Sequence, residues 1–429
     1  MPGDNSPTKE ANFGSYGVRP ATGVSPGTLV KAAPLFQDRN LPLLIEPAVE
    51  GLSLPAWAEP NRALLNDQLL RHGGLLFRGF DLQKPSDMEE VIQAILGKLP
   101  EFREASMLRE SVAGRIYAGT AYPPDSPIFV RNESSYANQW PLKIFLFCLE
   151  PPIAGGETYI ADIRRVLRHI KPEIRERFTR KGWMYIRNFE NDFGLSWQMA
   201  FQTSDRAEVE AHCAKNDIKV EWREGNRLRT HAVRSVFARH PKTGESLWFN
   251  HVTFFNISTL EPVVREALMS TLNESELPTN TYYGDGLPIE PEVMEHLREA
   301  YRRETVSVSW KKGDLLLLDN MLVAYGRASF TGSRKVLVGM VETVTREEAT
   351  TQPVSSEISM LYLEIRDLIA QSSHEAEVRR EIDQKLQRLR TLQEAEAEEL
   401  ERHFEERLRL KSGAGWAHLQ RIKERLGDA

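Results

Sequence analysis

Between residues 36 and 345 the apolar side chains are gathered into short runs set far apart along the chain. The clearest are 74–80 (GLLFRGF), 142–149 (LKIFLFCL), 306–310 (VSVSW), 314–318 (DLLLL) and 335–343 (KVLVGMVET). Each is short enough for a strand, and 306–310 alternates with period two. The spacing predicts helices over 63–71, 88–96, 172–181, 262–272 and 291–302, with Pro172, Pro262 and Pro291 as first-turn prolines. Strands this widely separated must find their partners through long excursions. That pattern fits a double-sheet β-fold with added helices, an α+β protein, better than alternating βαβ units.

Composition divides the chain in three. Residues 1–35 are rich in Gly, Pro, Ser and Thr and read as a flexible arm. Residues 36–345 read as one large domain. From about 346 onward Gly and Pro nearly vanish and Glu, Arg, Leu and Ala dominate, which predicts a helical extension over 346–429. Its apolar stripe (Val378, Ile382, Leu386, Leu389, then Leu400, Phe404, Leu408) suits self-packing or a homodimer. A docking helix for a carrier protein or peptide synthetase is the sharper alternative. Past Ser412-Gly413-Ala414-Gly415 a short amphipathic helix is expected, holding Trp416, Leu419, Ile422 and Leu426.

The net charge of -6 argues against nucleic-acid binding. No run is long and apolar enough for a membrane span, and the polar start predicts no secretory signal. Two cysteines, Cys148 and Cys213, exclude a disulfide framework or a multi-Cys zinc site, so a reducing cytoplasm is the expected setting. Gly155-Gly156 lacks the spacing of a nucleotide fingerprint, and neither Gly-x-Ser-x-Gly nor His-Glu-x-x-His occurs.

Four blocks carry more. They are Arg131-Asn132-Glu133-Ser134-Ser135-Tyr136, Pro152-Ile153-Ala154-Gly155-Gly156-Glu157-Thr158, Trp248-Phe249-Asn250, and Asp319-Asn320-Met321-Leu322-Val323-Ala324-Tyr325-Gly326-Arg327. With Gly332-Ser333-Arg334-Lys335 and Tyr283-Gly284-Asp285-Gly286, they resemble the TauD/TfdA family of iron(II)/2-oxoglutarate oxygenases. The resemblance is to its syringomycin-type branch, which acts on amino acids in nonribosomal peptide pathways. It runs in consistent order over about 40–345 and implies a double-stranded β-helix (jelly-roll) core.

The resemblance also implies a facial triad, His-x-Asp/Glu with a distant second His, that leaves iron positions open. Here the triad reads Arg131-x-Glu133 and Tyr325. Arginine stays protonated and gives no lone pair, so the resemblance implies no retained metal. Glu133, Tyr325 and Arg131 become candidates for base, proton donor and stabiliser of negative charge in metal-free acid–base chemistry. A buried Arg131–Glu133 plug in a non-catalytic binding protein is the competing reading. A third is an oxygenase that keeps iron(II) and 2-oxoglutarate through substitute ligands, Glu133 with His251.

By the same resemblance Thr158 and Arg334 hold co-substrate carboxylates, with Arg327 the runner-up. Asn250 and His251 are placed near the substrate pocket, against the plainer readings of a strand-end cap and a hydrogen-bonded strand histidine. The implied substrate is an amino acid, free or carried on a carrier protein. Of the other histidines, His72 is read as structural and His231 and His240 as surface residues. His374, His403 and His418 are read as lying on the solvated face of the extension. Trp197 and Trp222 are read as packing.

Overall fold

The computed structural model describes residues 29–97, 111–113, 116–117, 122–189, 196–349, 384–385 and 387–388. Most of the N-terminal arm lies outside these residues, as does the extension apart from four helical positions between 384 and 388. The extension's apolar stripes and its three histidines therefore lie outside the described residues. Residues 30–35, assigned to the arm by composition, are instead part of a strand, Val30–Phe36, paired with Arg39–Pro47. No helix among the described residues is long and apolar enough to cross a membrane.

The described residues form two compact units. The first runs to Asp162 and resumes over 196–209 and from Tyr301 to Val344. Its strands that matter most are β1 (Ile128–Arg131), β2 (Gln139–Glu150), β3 (Thr158–Asp162), β4 (Leu315–Asp319), β5 (Val323–Arg327) and β6 (Lys335–Thr345). An eight-stranded sheet runs in the order 30–36, 39–47, 74–77, β4, β2, β6, 116–117, 111–113. A four-stranded sheet runs Thr305–Val308, β3, β5, β1. These sheets are the framework of the jelly roll, and every predicted strand of this region is found.

The apolar run of β4 has a simple cause. Leu315 and Leu317 join a core with Phe145 and Phe147 of β2 and Leu75 and Phe77. Helix Pro85–Leu96 covers that core with Met88, Val91, Ile92 and Ile95, which recur at helical spacing. Leu316 and Leu318, on the alternate positions, are buried as well. A strand covered on both faces reads as a continuous hydrophobic run. Helix Arg62–His72 stops at Gly73, whose φ of 77° is left-handed and whose N–H returns to Leu69 O at 2.7 Å.

The second unit holds the four-stranded sheet Lys219–Arg223, Arg227–Arg234, Trp183–Phe189, Thr279–Tyr283 and the hairpin Phe237–Arg239 with Ser246–Trp248. His240, expected at the surface, is fully buried here. Its Nδ1 accepts the backbone N–H of Lys242 at 3.2 Å and of Thr243 at 3.1 Å, closing the hairpin turn.

In the smaller sheet β1 and β5 pair with a register slip. Tyr325 lies opposite Arg131, but Arg327 lies opposite Ile128, so β1 carries one extra residue. The bulge presses on Gly326, where a Cβ would stand 2.4 Å from Ile128 O. Gly326→Ala is therefore expected to push β1 from β5 and cost about 1–3 kcal/mol, the usual range for overpacking. Urea denaturation measures it, and an unchanged midpoint would refute the tight approach.

Candidate functional site

Register brings the first three candidates together. Arg131 ends β1 and Tyr325 is its cross-strand partner on β5, while Glu133 follows β1 by two residues. All three side chains are buried, with 4% exposure for Arg131, 1% for Glu133 and 6% for Tyr325. The Tyr325 hydroxyl donates to Glu133 Oε2 at 2.5 Å. Arg131 Nη2 stands 3.6 Å from the same oxygen. The guanidinium also lies over the Tyr325 ring, 4.8 Å from its centroid, and Nη1 donates to Tyr325 O at 3.3 Å. One carboxylate oxygen thus takes both a charge-assisted phenol bond and the facing cation.

A cavity of about 50 Å³ opens beside this cluster. Arg131, Thr158, Tyr325, Gly326, Arg327 and Arg334 line its polar side, and Ile128, Leu146, Val336 and Val338 its apolar wall. A water needs about 10–15 Å³ by this measure, so the space takes a few heavy atoms, such as a carboxylate and its first carbons. Glu133 does not line it. Its Oε2 meets the cavity wall at the hydroxyl of Tyr325, through their hydrogen bond.

The three residues assigned to anion binding line the cavity together. Thr158 and Arg327 are partners across β3 and β5. Thr158 Oγ1 accepts the indole N–H of Trp310 at 3.1 Å, so its own O–H is left to donate. Arg334 Nε donates to Gly156 O at 3.0 Å. That close approach explains the Gly-Gly pair: Gly156 has φ of 71°, and a Cβ there would meet Pro152 Cγ at 2.7 Å and Arg334 Cδ at 3.1 Å. No carboxylate among the described residues pairs with Arg334. Burial, with Arg327 adding like-charge repulsion, brings its guanidinium down to about 10.

Arg327 is differently employed. Its Nη atoms donate to the carbonyls of Tyr122, Pro123 and Ser126 at 3.3, 2.6 and 2.8 Å, fastening the segment that leads into β1. Burial lowers its pKa too, and Arg131 adds to the effect. Arg327 supplies charge to the cavity, whereas Arg334 and Thr158 supply donors.

The remaining candidates belong to the second unit. Asn250 is buried and bridges Val236 O and the Val252 N–H at 3.0 and 3.1 Å, a strand-end cap. His251 is 1% exposed, its ring edge-on to Phe254 and Phe255 at 5.4 and 4.6 Å. Asn250 has the surroundings of the strand-end cap, whereas His251 lies outside any strand, between two phenylalanine rings. Sequence reasoning missed two residues. Trp310 orients Thr158, and Asn320 grips the backbone of Glu133 at both its N–H and its carbonyl. Trp310 ends a strand-like run, where nothing marks an indole as a donor. Asn320 stood in a quoted motif without a role.

A sequence profile described as the taurine catabolism dioxygenase TauD, TfdA family matches residues 37–341. The chain is similar to the dapdiamide synthesis protein DdaC of Enterobacter agglomerans, 38% identical over 280 residues, which cover 65% of this chain and 85% of that one. It is also similar to a clavaminate synthase-like protein of Arabidopsis thaliana, 27% identical over 332 residues, covering 71% and 94%. Among solved structures, PvcB of Pseudomonas aeruginosa aligns over 76% of this chain and 95% of its own at 15% identity, with a TM-score of 0.46.

The cysteines give a direct test of burial. Cys148 is fully buried within β2, and burial, reinforced by Asp314, raises its thiol to about 12. Burial raises Cys213 to about 11. Thiolate, the reactive form, is scarce in both at pH 8. The native protein is expected to leave both thiols unmodified by a disulfide reagent at that pH, and the denatured protein to titrate two. Rapid native labelling would contradict the burial of these two side chains.

Proposed function

This chain belongs to the TauD/TfdA family, and on that premise we propose that it is a natural-product biosynthetic enzyme whose site works by moving protons, without iron. The likeness to a dapdiamide synthesis protein supports a setting in peptide-type natural products, with an amino acid or a carrier-bound aminoacyl group as substrate. A carrier protein or synthetase is then the natural partner.

The family's His-x-Glu…His pattern reads here as Arg131-x-Glu133 and Tyr325, and these groups do not fit iron(II). A ferrous facial site takes two neutral imidazoles and one carboxylate. This cluster offers one carboxylate whose Oε2 already accepts the phenol at 2.5 Å, and a guanidinium with no lone pair to give. Among the described residues no three His, Cys, Asp or Glu side chains converge. No step is therefore routed through a metal or through 2-oxoglutarate as oxidant.

The observation that carries the reading is the Tyr325–Glu133 hydrogen bond under the Arg131 guanidinium, at the wall of an arginine-lined cavity. A substrate carboxylate docks on Arg334 and the Thr158 hydroxyl. Tyr325 faces the carbon chain. Glu133 takes the phenol proton as the phenol oxygen takes one from substrate carbon. The electron pair left on substrate forms a carbon–carbon double bond, and Arg131 stabilises the negative charge. Either a neighbouring substituent is expelled and leaves with the proton handed back from Glu133 through Tyr325, or nothing is expelled and the next carbon takes that proton in an isomerisation. Returning the proton along the same path resets the site. Acid–base catalysis of this kind contributes on the order of 10²–10⁴ in rate.

Calorimetry in a chelator with succinate, glutarate and 2-oxoglutarate as probes tests the anion site. Binding is expected without metal, and Arg334→Met is expected to weaken it at least about tenfold, the loss of a charged hydrogen bond. Binding that appears only with iron(II) would overturn the metal-free reading. A second test rebuilds the triad. Arg131→His with Tyr325→His is expected to create iron(II) affinity that the parent lacks. Stoichiometric iron in the parent, with succinate released from 2-oxoglutarate, would restore the oxygenase. Once a substrate is in hand, Glu133→Gln is expected to abolish turnover with the fold intact; undiminished turnover would remove Glu133 from the chemistry.

A further inference from the structure

We infer that Asn320 is the positioning residue for the Glu133–Tyr325 pair, holding the carboxylate at proton-transfer distance from the phenol. The inference rests on the acid–base reading of that pair and names the group that sets its geometry.

Asn320 sits in the turn between β4 and β5, five residues before Tyr325, and is fully buried. Its side-chain amide clamps one residue from both sides. Oδ1 accepts the backbone N–H of Glu133 at 2.7 Å, and Nδ2 donates to Glu133 O at 3.0 Å. Nδ2 also donates to Pro141 O at 2.8 Å, and the Asn320 N–H to Leu142 O at 2.8 Å, which fixes the clamp to β2. From the other side, Asn132 Nδ2 donates to Asn320 O at 2.6 Å. Asp319 Oδ1 receives the N–H groups of Met321 and Leu322 at 3.0 and 3.1 Å and shapes the turn that presents the amide.

The geometry explains why this residue is an asparagine. Glu133 lies past the end of β1, and Ser134 after it has a left-handed φ of 55°, so this peptide is outside the regular ladder. The amide serves it in place of a ladder partner. It must accept once and donate twice from one planar group. Aspartate has no donor to give, glutamine is a methylene too long, and serine has a single hydroxyl. With Glu133 tied to Asn320 and Tyr325 carried on the strand that follows the Asn320 turn, both partners are referred to one frame. A proton-transfer contact tolerates only a narrow range of oxygen–oxygen distance.

The Raman Fermi doublet of Tyr325, isolated by subtracting the spectrum of Tyr325→Phe, reports how strongly the phenol donates and needs no substrate. The parent is expected to show a strong donor. Asn320→Asp is expected to move the signature toward that of tyrosine in water. Asn132→Ala, which removes one bond of the clamp, is expected to move it less in the same direction, and it provides the test if Asn320→Asp does not fold. Leu69→Ala, a core truncation in helix Arg62–His72, is expected to leave it unchanged although it destabilises the protein. A folded Asn320→Asp with the parent signature would overturn the proposal, as would an unchanged Asn132→Ala or a shift of equal size in Leu69→Ala. Loss of turnover in Glu133→Gln reports on the chemistry separately, so the two readings fail by different results.

Discussion

The pairing of β1 with β5 is the constraint on which the site depends. It sets Tyr325 opposite Arg131, and the extra residue in β1 then returns the ladder to register at Ile128 and Arg327. From that pairing follow the guanidinium over the phenol ring and the single carboxylate oxygen that serves both. The neighbouring pairing of β3 with β5 brings in Thr158 opposite Arg327. Arg334 comes from outside this ladder, through a hydrogen bond to Gly156 that only a residue without Cβ permits.

Charge is distributed unevenly in this arrangement. Arg131 faces Glu133, so that part of the cavity is internally compensated. Arg327 and Arg334 face each other's fields with carbonyl oxygens and an aromatic ring for company, and both are driven down by burial. Two guanidiniums held together in a poorly solvated place are unfavourable unless something anionic joins them. The apolar wall of Ile128, Leu146, Val336 and Val338 offers these charges no compensating group.

Much of this architecture could be read from the residues. The run 314–318 announces a doubly covered strand because both faces of β4 are packed, and the helix over 88–96 shows its buried stripe at helical spacing. Motif order revealed that Arg131, Glu133 and Tyr325 belong together. What could not be read was depth. Nothing in Arg-x-Glu says that the carboxylate sits behind a phenol, because depth arises from pairing across nearly 200 residues of chain. His240 failed for a related reason: a histidine in a polar stretch looks solvated until the turn it closes is seen. Asn320 was hidden because its partners are backbone atoms, which leave no trace in residue identity.

The clamp around Glu133 is built without the two side chains that lie against its carboxylate. The backbone of the carboxylate is held by Asn320, Pro141 and the turn at Asp319, and none of these bonds uses the side chain of residue 131 or 325. Positions 131 and 325 are thus set on a socket anchored from behind. A substitution at 131 or 325 therefore removes none of the bonds that hold this carboxylate's backbone.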